Sequence, residues 1–128
     1  MKRHLFVIAA VLPLAACAAP AERERDIRAP AAEIVGEPVN CIQTSRIQNT
    51  SVHDDYTIDF AMLGGDVYRN TLPTRCPQLG FEERFAHSSP TGQLCRVDTI
   101  TVLLPDGQRG VSCGLGEFVP IRYREDAG

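Results

Sequence analysis

The sequence predicts a mostly β protein: one small domain, an antiparallel sheet or partly open barrel with irregular loops, stapled by two disulfides. Three observations lead there. Tyr56, Ile58, Phe60 and Met62 alternate with Thr57, Asp59 and Ala61, the period-2 pattern of a strand with one apolar face. No stretch carries the apolar periodicity of an amphipathic helix of ten or more residues. Five cysteines are present, and setting Cys17 aside leaves the even set Cys41, Cys76, Cys95 and Cys113.

Cys17 is set aside because of what precedes it. Lys2 and Arg3 open the chain, an apolar run follows from Leu5 to Leu14, and Leu14-Ala15-Ala16-Cys17 closes it. The run is shorter than the roughly 20 residues that span a bilayer, so residues 1–16 read as an export signal. A cysteine at the end of the small-residue cleavage site has the pattern of a lipobox, with Cys17 as the lipid-attachment residue and first mature residue. The mature chain would then hold 128 − 16 = 112 residues, enough for one domain. Loss of Lys2 and Arg3 takes 13 basic residues to 11 against 16 acidic ones, a net charge of −5. An acidic chain without a basic cluster offers no footprint for nucleic acid or anionic lipid. The expected membrane contact is the covalent lipid alone.

Residues 17–39 are rich in Ala, Pro, Glu and Arg, with Pro20, Pro30 and Pro38 as breakers, and read as a flexible tether. The β domain is expected over 40–123, with 124–128 as a disordered tail. Its first strand is read as Cys41 to Gln48, followed by a turn or bulge at Asn49-Thr50-Ser51 and a turn at His53-Asp54-Asp55. Tyr56 to Met62 is the clearest strand. Leu63-Gly64-Gly65 reverses it into Val67-Tyr68-Arg69. Thr71 to Gly80 reads as an irregular crossing pinned by Cys76, and Phe81 to Ala86 as a short strand or helical turn. Leu94 to Leu104 is the longest apolar segment. Its pattern changes phase between Cys95 and Ile100, which predicts a bulge near Asp98 or burial on both faces. Pro105-Asp106-Gly107 turns the chain, Gly110 to Cys113 pairs back, and Phe118, Val119 and Ile121 cap the core.

Behind an export signal the four cysteines meet an oxidising compartment, and without a C-x-x-C pair they read as two structural disulfides rather than a zinc or redox site. Three pairings exist. A turn at Pro105–Gln108 sets Cys113 opposite about Ile100 and leaves Cys95 roughly 16 Å away along the sheet, which disfavours Cys95–Cys113 and with it Cys41–Cys76. Of the remaining two, Cys76–Cys95 with Cys41–Cys113 is the expectation. It pins the crossing to the long strand and ties the first strand to the last.

The chemical motifs are weak. Gly110-Val111-Ser112-Cys113-Gly114 matches G-x-S-x-G, but no histidine follows Ser112. Gly114-Leu115-Gly116 lacks the third glycine and helix of a dinucleotide site. His53-Asp54-Asp55 could contribute metal ligands, although a side chain-to-backbone turn before Tyr56 explains it better. Asp54, Asp55 and Asp98 with His53 are the residues a small hydrolase or metal-dependent enzyme would use; Asp59 and His87 are further candidates. Asp98 is instead expected to make a structural hydrogen bond. No cofactor is implied.

Several segments together carry a resemblance: Asp54-Asp55-Tyr56-Thr57-Ile58, Tyr68-Arg69-Asn70-Thr71-Leu72, Cys76-Pro77-Gln78-Leu79, Leu94-Cys95-Arg96-Val97-Asp98 and Cys113-Gly114-Leu115-Gly116-Glu117-Phe118. With the lipobox, they resemble a family of small proteobacterial lipoproteins that is a domain of unknown function, number 6491. The resemblance spans Cys41 to about Ile121. It implies a small β domain on a lipid anchor and brings no activity. The functional expectation is a non-enzymatic binding or structural module facing the periplasm, engaging another envelope component. Ala18 after the cysteine points to the outer rather than the inner membrane.

Overall fold

The computed structural model describes residues 10–11 and 27–125; the expectations for the signal segment, for Cys17 and for 126–128 lie outside the described residues. The chain is mostly β, in antiparallel sheets that do not close into a barrel. Among the described residues ten strands run in the order β1 (Ala32–Ile34), β2 (Cys41–Gln43), β3 (Ile47–Val52), β4 (Thr57–Met62), β5 (Val67–Thr71), β6 (Phe85–His87), β7 (Gln93–Cys95), β8 (Thr99–Leu103), β9 (Arg109–Gly114) and β10 (Phe118–Tyr123). A single helical turn, α1 (Leu79–Glu82), precedes β6. Three sheets result: β1-β10-β5-β4-β3, β6-β8-β9 and the pair β2-β7.

The hairpin β4–β5 forms as its sequence dictates. Gly64 and Gly65 take φ of +97° and +100°, a region costly for residues with a Cβ, and Met62 N donates to Asp66 O at 2.8 Å. Ala61 then lies opposite Val67, and Asp59 opposite Arg69. Ile58, Phe60 and Met62 point into the core. Phe60 meets Phe118 and Phe85 edge-on, with ring centroids 5.5 and 6.2 Å apart. Ile100 and Val102 approach from the three-stranded sheet, while Ile42 and Leu94 bring in the β2-β7 pair. The core therefore sits where the three sheets meet.

Several elements differ from the sequence reading. The expected first strand, Cys41 to Gln48, is cut by a 3-10 turn at Thr44–Arg46. Its halves join different sheets, and Asn49-Thr50-Ser51 continues β3 as strand, with the register shift falling between Ile47 and Asn49. The phase change in Leu94–Leu104 is a strand break. The chain turns at Arg96-Val97-Asp98, so Cys95 and Ile100 belong to separate sheets. That break also corrects the disulfide pairing. The bonds are Cys41–Cys95 and Cys76–Cys113. Cys113 does lie opposite Ile100, but Cys95 is freed from that strand and lies opposite Cys41 across the β2-β7 pair.

The folded unit also begins before residue 40. Segment 31–39, expected as tether, lines the edge of β10: Ile34 pairs with Ile121, Val35 N donates to Pro120 O, and Val39 pairs with Phe118. Beyond Tyr123, Arg124 N donates to Ala31 O at 3.2 Å. Pro120 has no N–H to return to this segment, and the segment bends away there at Gly36, which packs against the proline ring.

Candidate functional site

The densest polar cluster sits on the face of the five-stranded sheet opposite the core. Hairpin register sets Asp59 opposite Arg69. The guanidinium donates to both carboxylate oxygens, Nε to Oδ1 at 2.9 Å and Nη2 to Oδ2 at 3.0 Å. Tyr123 donates its hydroxyl to Oδ2 at 2.7 Å, and His53 Nε2 lies 2.8 Å from the same oxygen. Asp59 is 2 % exposed. Burial pushes its carboxyl up, but hydrogen bonds from Arg69 and Tyr123, the Arg69 charge and the His53 bond outweigh it and hold it below the usual carboxylate range. The Arg69 guanidinium is raised by its bond to Asp59. Burial, then the bond to Asp59, pushes the Tyr123 hydroxyl up to about 12.

The cluster reaches beyond the sheet. Arg69 Nη2 also donates to the Pro30 carbonyl at 2.9 Å, and the Arg28 backbone N–H donates to Asp54 Oδ2 at 2.9 Å. The other oxygen of Asp54 accepts Tyr56 N–H at 2.8 Å, closing the turn expected before Tyr56. Asp55 binds Arg75 Nε at 2.9 Å and Gly80 N–H at 2.8 Å. Gly80 must be glycine here, because a Cβ would come within 2.9 Å of Asp54 Cα and the Arg28 guanidinium. Residues 28–39 are thus a strap, held at one end by Asp54 and Arg69 and at the other by the edge of β10.

The residues that an enzyme would use are therefore committed elsewhere. His53 pairs with Asp59, while Asp54 and Asp55 hold the strap and α1. Asp98 accepts Cys95 N–H at 2.7 Å, the structural bond that closes the turn between β7 and β8. Asp98 and His87 line one groove, and His53, Asp54 and Asp55 are not part of it. Among the described residues no group of three or more His, Cys, Asp or Glu could hold a metal ion. Ser112 lies within β9 with its hydroxyl 2.9 Å from that of Thr101, so the G-x-S-x-G match is not a strand-to-helix elbow.

The sequence reading missed Arg69, Tyr123 and Asn70 as site residues. For Arg69 a signal existed: folding the hairpin about Gly64 brings it opposite Asp59. Tyr123 and Asn70 act across the fold and leave no local pattern.

Fold and cluster together define a class: a small disulfide-stapled β domain in which segment 28–39 is strapped onto the sheet by Asp54 and by an arginine paired with buried Asp59. The chain belongs to the family of unknown function DUF6491, whose model matches residues 1–124. Comparison with curated proteins and comparison with solved structures each gave no match.

Proposed function

We propose that this protein is a lipid-anchored module of the bacterial cell envelope, attached through Cys17, facing the periplasm and binding another envelope component without chemistry of its own. The observation that carries the non-enzymatic part is how the polar side chains are used. Asp54, Asp55, Asp59, Asp98 and His53 hold backbone groups or one another. The anchor part is supported by the lipobox ending at Cys17 and by two disulfides suited to an oxidising compartment. Ala18 favours the outer membrane as its home.

The strap sharpens the reading. If the lipid sits on Cys17 and the fold starts at Arg28, only residues 18–27 link them. Ten residues reach at most about 35 Å, so the domain works close to its membrane.

Metabolic labelling with an alkyne fatty acid tests the anchor. The native chain should label and fractionate with membranes, and Cys17→Ala should do neither while keeping its disulfides. Salt-resistant membrane recovery of Cys17→Ala would overturn the anchor. For the partner, photo-crosslinkers placed on exposed domain residues should trap one defined envelope component in native cells and lose it when the domain is unfolded.

A further inference from the structure

We infer that the groove on the outer face of β6-β8-β9 is a binding site for the terminal carboxylate of a short peptide, with Arg109 as the anchoring cation. In β8, Ile100 and Val102 are buried, so Thr99 and Thr101 face outward. There they floor a groove of about 450 Å³ walled by His87, Asp98 and Arg109. That volume is in the range of small-ligand sites.

Arg109 supplies this groove with an unpaired cation. Arg46, Arg69, Arg75, Arg84, Arg96 and Arg122 each donate to a carbonyl or carboxylate. Among the described residues, the side chains of Arg109 and Arg124 make no such bond, although the chain is acidic and carboxylates are plentiful, and Arg109 lines the groove. An unpaired guanidinium fork in a concave site fits a carboxylate, which it can bind through two parallel hydrogen bonds. The His87 imidazole also makes no hydrogen bond among the described residues and lies in the same groove.

Two further features favour a peptide end over a bare anion. Asp98 Oδ2 is taken by Cys95 N–H, which leaves Oδ1 to accept from a donor. A peptide terminus supplies a carboxylate and, one unit back, an amide N–H. Val97, 84 % exposed, also lines the groove and presents an apolar surface to a small side chain such as that of alanine. This inference rests on the binding-module reading, and the two fail separately: lipid labelling is blind to the groove, and groove titration is blind to the anchor.

Amide NMR of the full chain titrated with N-acetyl-dialanine tests it. Saturable shifts are expected at Ala86–Ser88 and Thr99–Thr101. Arg109→Gln should weaken binding about tenfold or more, the worth of a charged hydrogen-bond pair, with resonances outside the groove unmoved. The C-terminally amidated peptide should bind no better than that variant does. No saturable shift up to about 10 mM, tenfold above a 1 mM site, would overturn the inference. So would unchanged binding in Arg109→Gln, or equal binding of inorganic phosphate, which would make the groove a general anion patch.

Discussion

The Asn70 side chain completes a strand pairing that the backbone leaves undone. Its Nδ2 donates to Gly116 O at 2.7 Å, and its Oδ1 accepts Gly116 N–H at 2.8 Å. Asn70 is fully buried. Gly116 lies so close to β5 that a Cβ would collide with the Thr71 carbonyl. The Gly-x-Gly after Cys113 therefore serves a close backbone approach, not a nucleotide.

Replacing Asn70 by leucine removes both bonds and leaves the Gly116 backbone groups without partners. At about 1–3 kcal/mol for each of the two unsatisfied groups, the loss should be about 2–6 kcal/mol in urea unfolding. Gly116→Ala should lose about 1–3 kcal/mol through overpacking. Native stability in either variant would show that the segment after Cys113 pairs elsewhere.

Asp59→Asn should destabilise more than substitution at any exposed carboxylate. It leaves the Arg69 charge, 17 % exposed, without its counter-charge. Breaking a buried pair from one side costs about 3–5 kcal/mol. Because Arg69 also holds Pro30, hydrogen exchange over Arg28–Ile34 should speed up along with the loss of stability. An unchanged exchange pattern there would separate the strap from the cluster.

The same cluster sets two pH limits. Asp59 has a folded pKa below its unfolded value, so its contribution is complete above about pH 4 and is lost as pH falls through the lower folded value. The Tyr123 hydroxyl is raised to about 12, so its contribution is complete below about pH 10 and is lost between about 10 and 12. The stability gap between the native protein and Tyr123→Phe should therefore be wider at pH 8 than at pH 11. A gap independent of pH would remove the tyrosine from the network.

Non-reducing peptide mapping should recover Cys41–Cys95 and Cys76–Cys113. The loops they close span 54 and 37 residues, and loop entropy puts each bond at about 4 kcal/mol. Paired Cys→Ser substitution at either bond should lower stability by about that amount. A Cys76–Cys95 peptide would contradict the fold.

What was legible in the sequence was local. Strand alternation in Tyr56–Met62, the glycine pair that reverses it and the turn at Pro105–Gly107 each need only a few neighbouring residues, and all three formed. The even cysteine count made two disulfides readable for the same reason, and the turn at Asp54 was readable because its carboxylate bonds the backbone two residues on. What tertiary structure alone decided was which distant segments meet. A strand break at Arg96–Asp98 moves Cys95 into another sheet, and no count of residues reveals a break that side-chain burial imposes. The strap was invisible because its residues bury little apolar surface: Ile34 is 72 % exposed, so hydrophobic patterning carries no trace of it. It is held by backbone pairing and by Asp54 and Arg69, polar contacts whose partners lie 26 and 39 residues apart in the chain. Charges at such separations acquire meaning only when the fold removes them from water and leaves them each other.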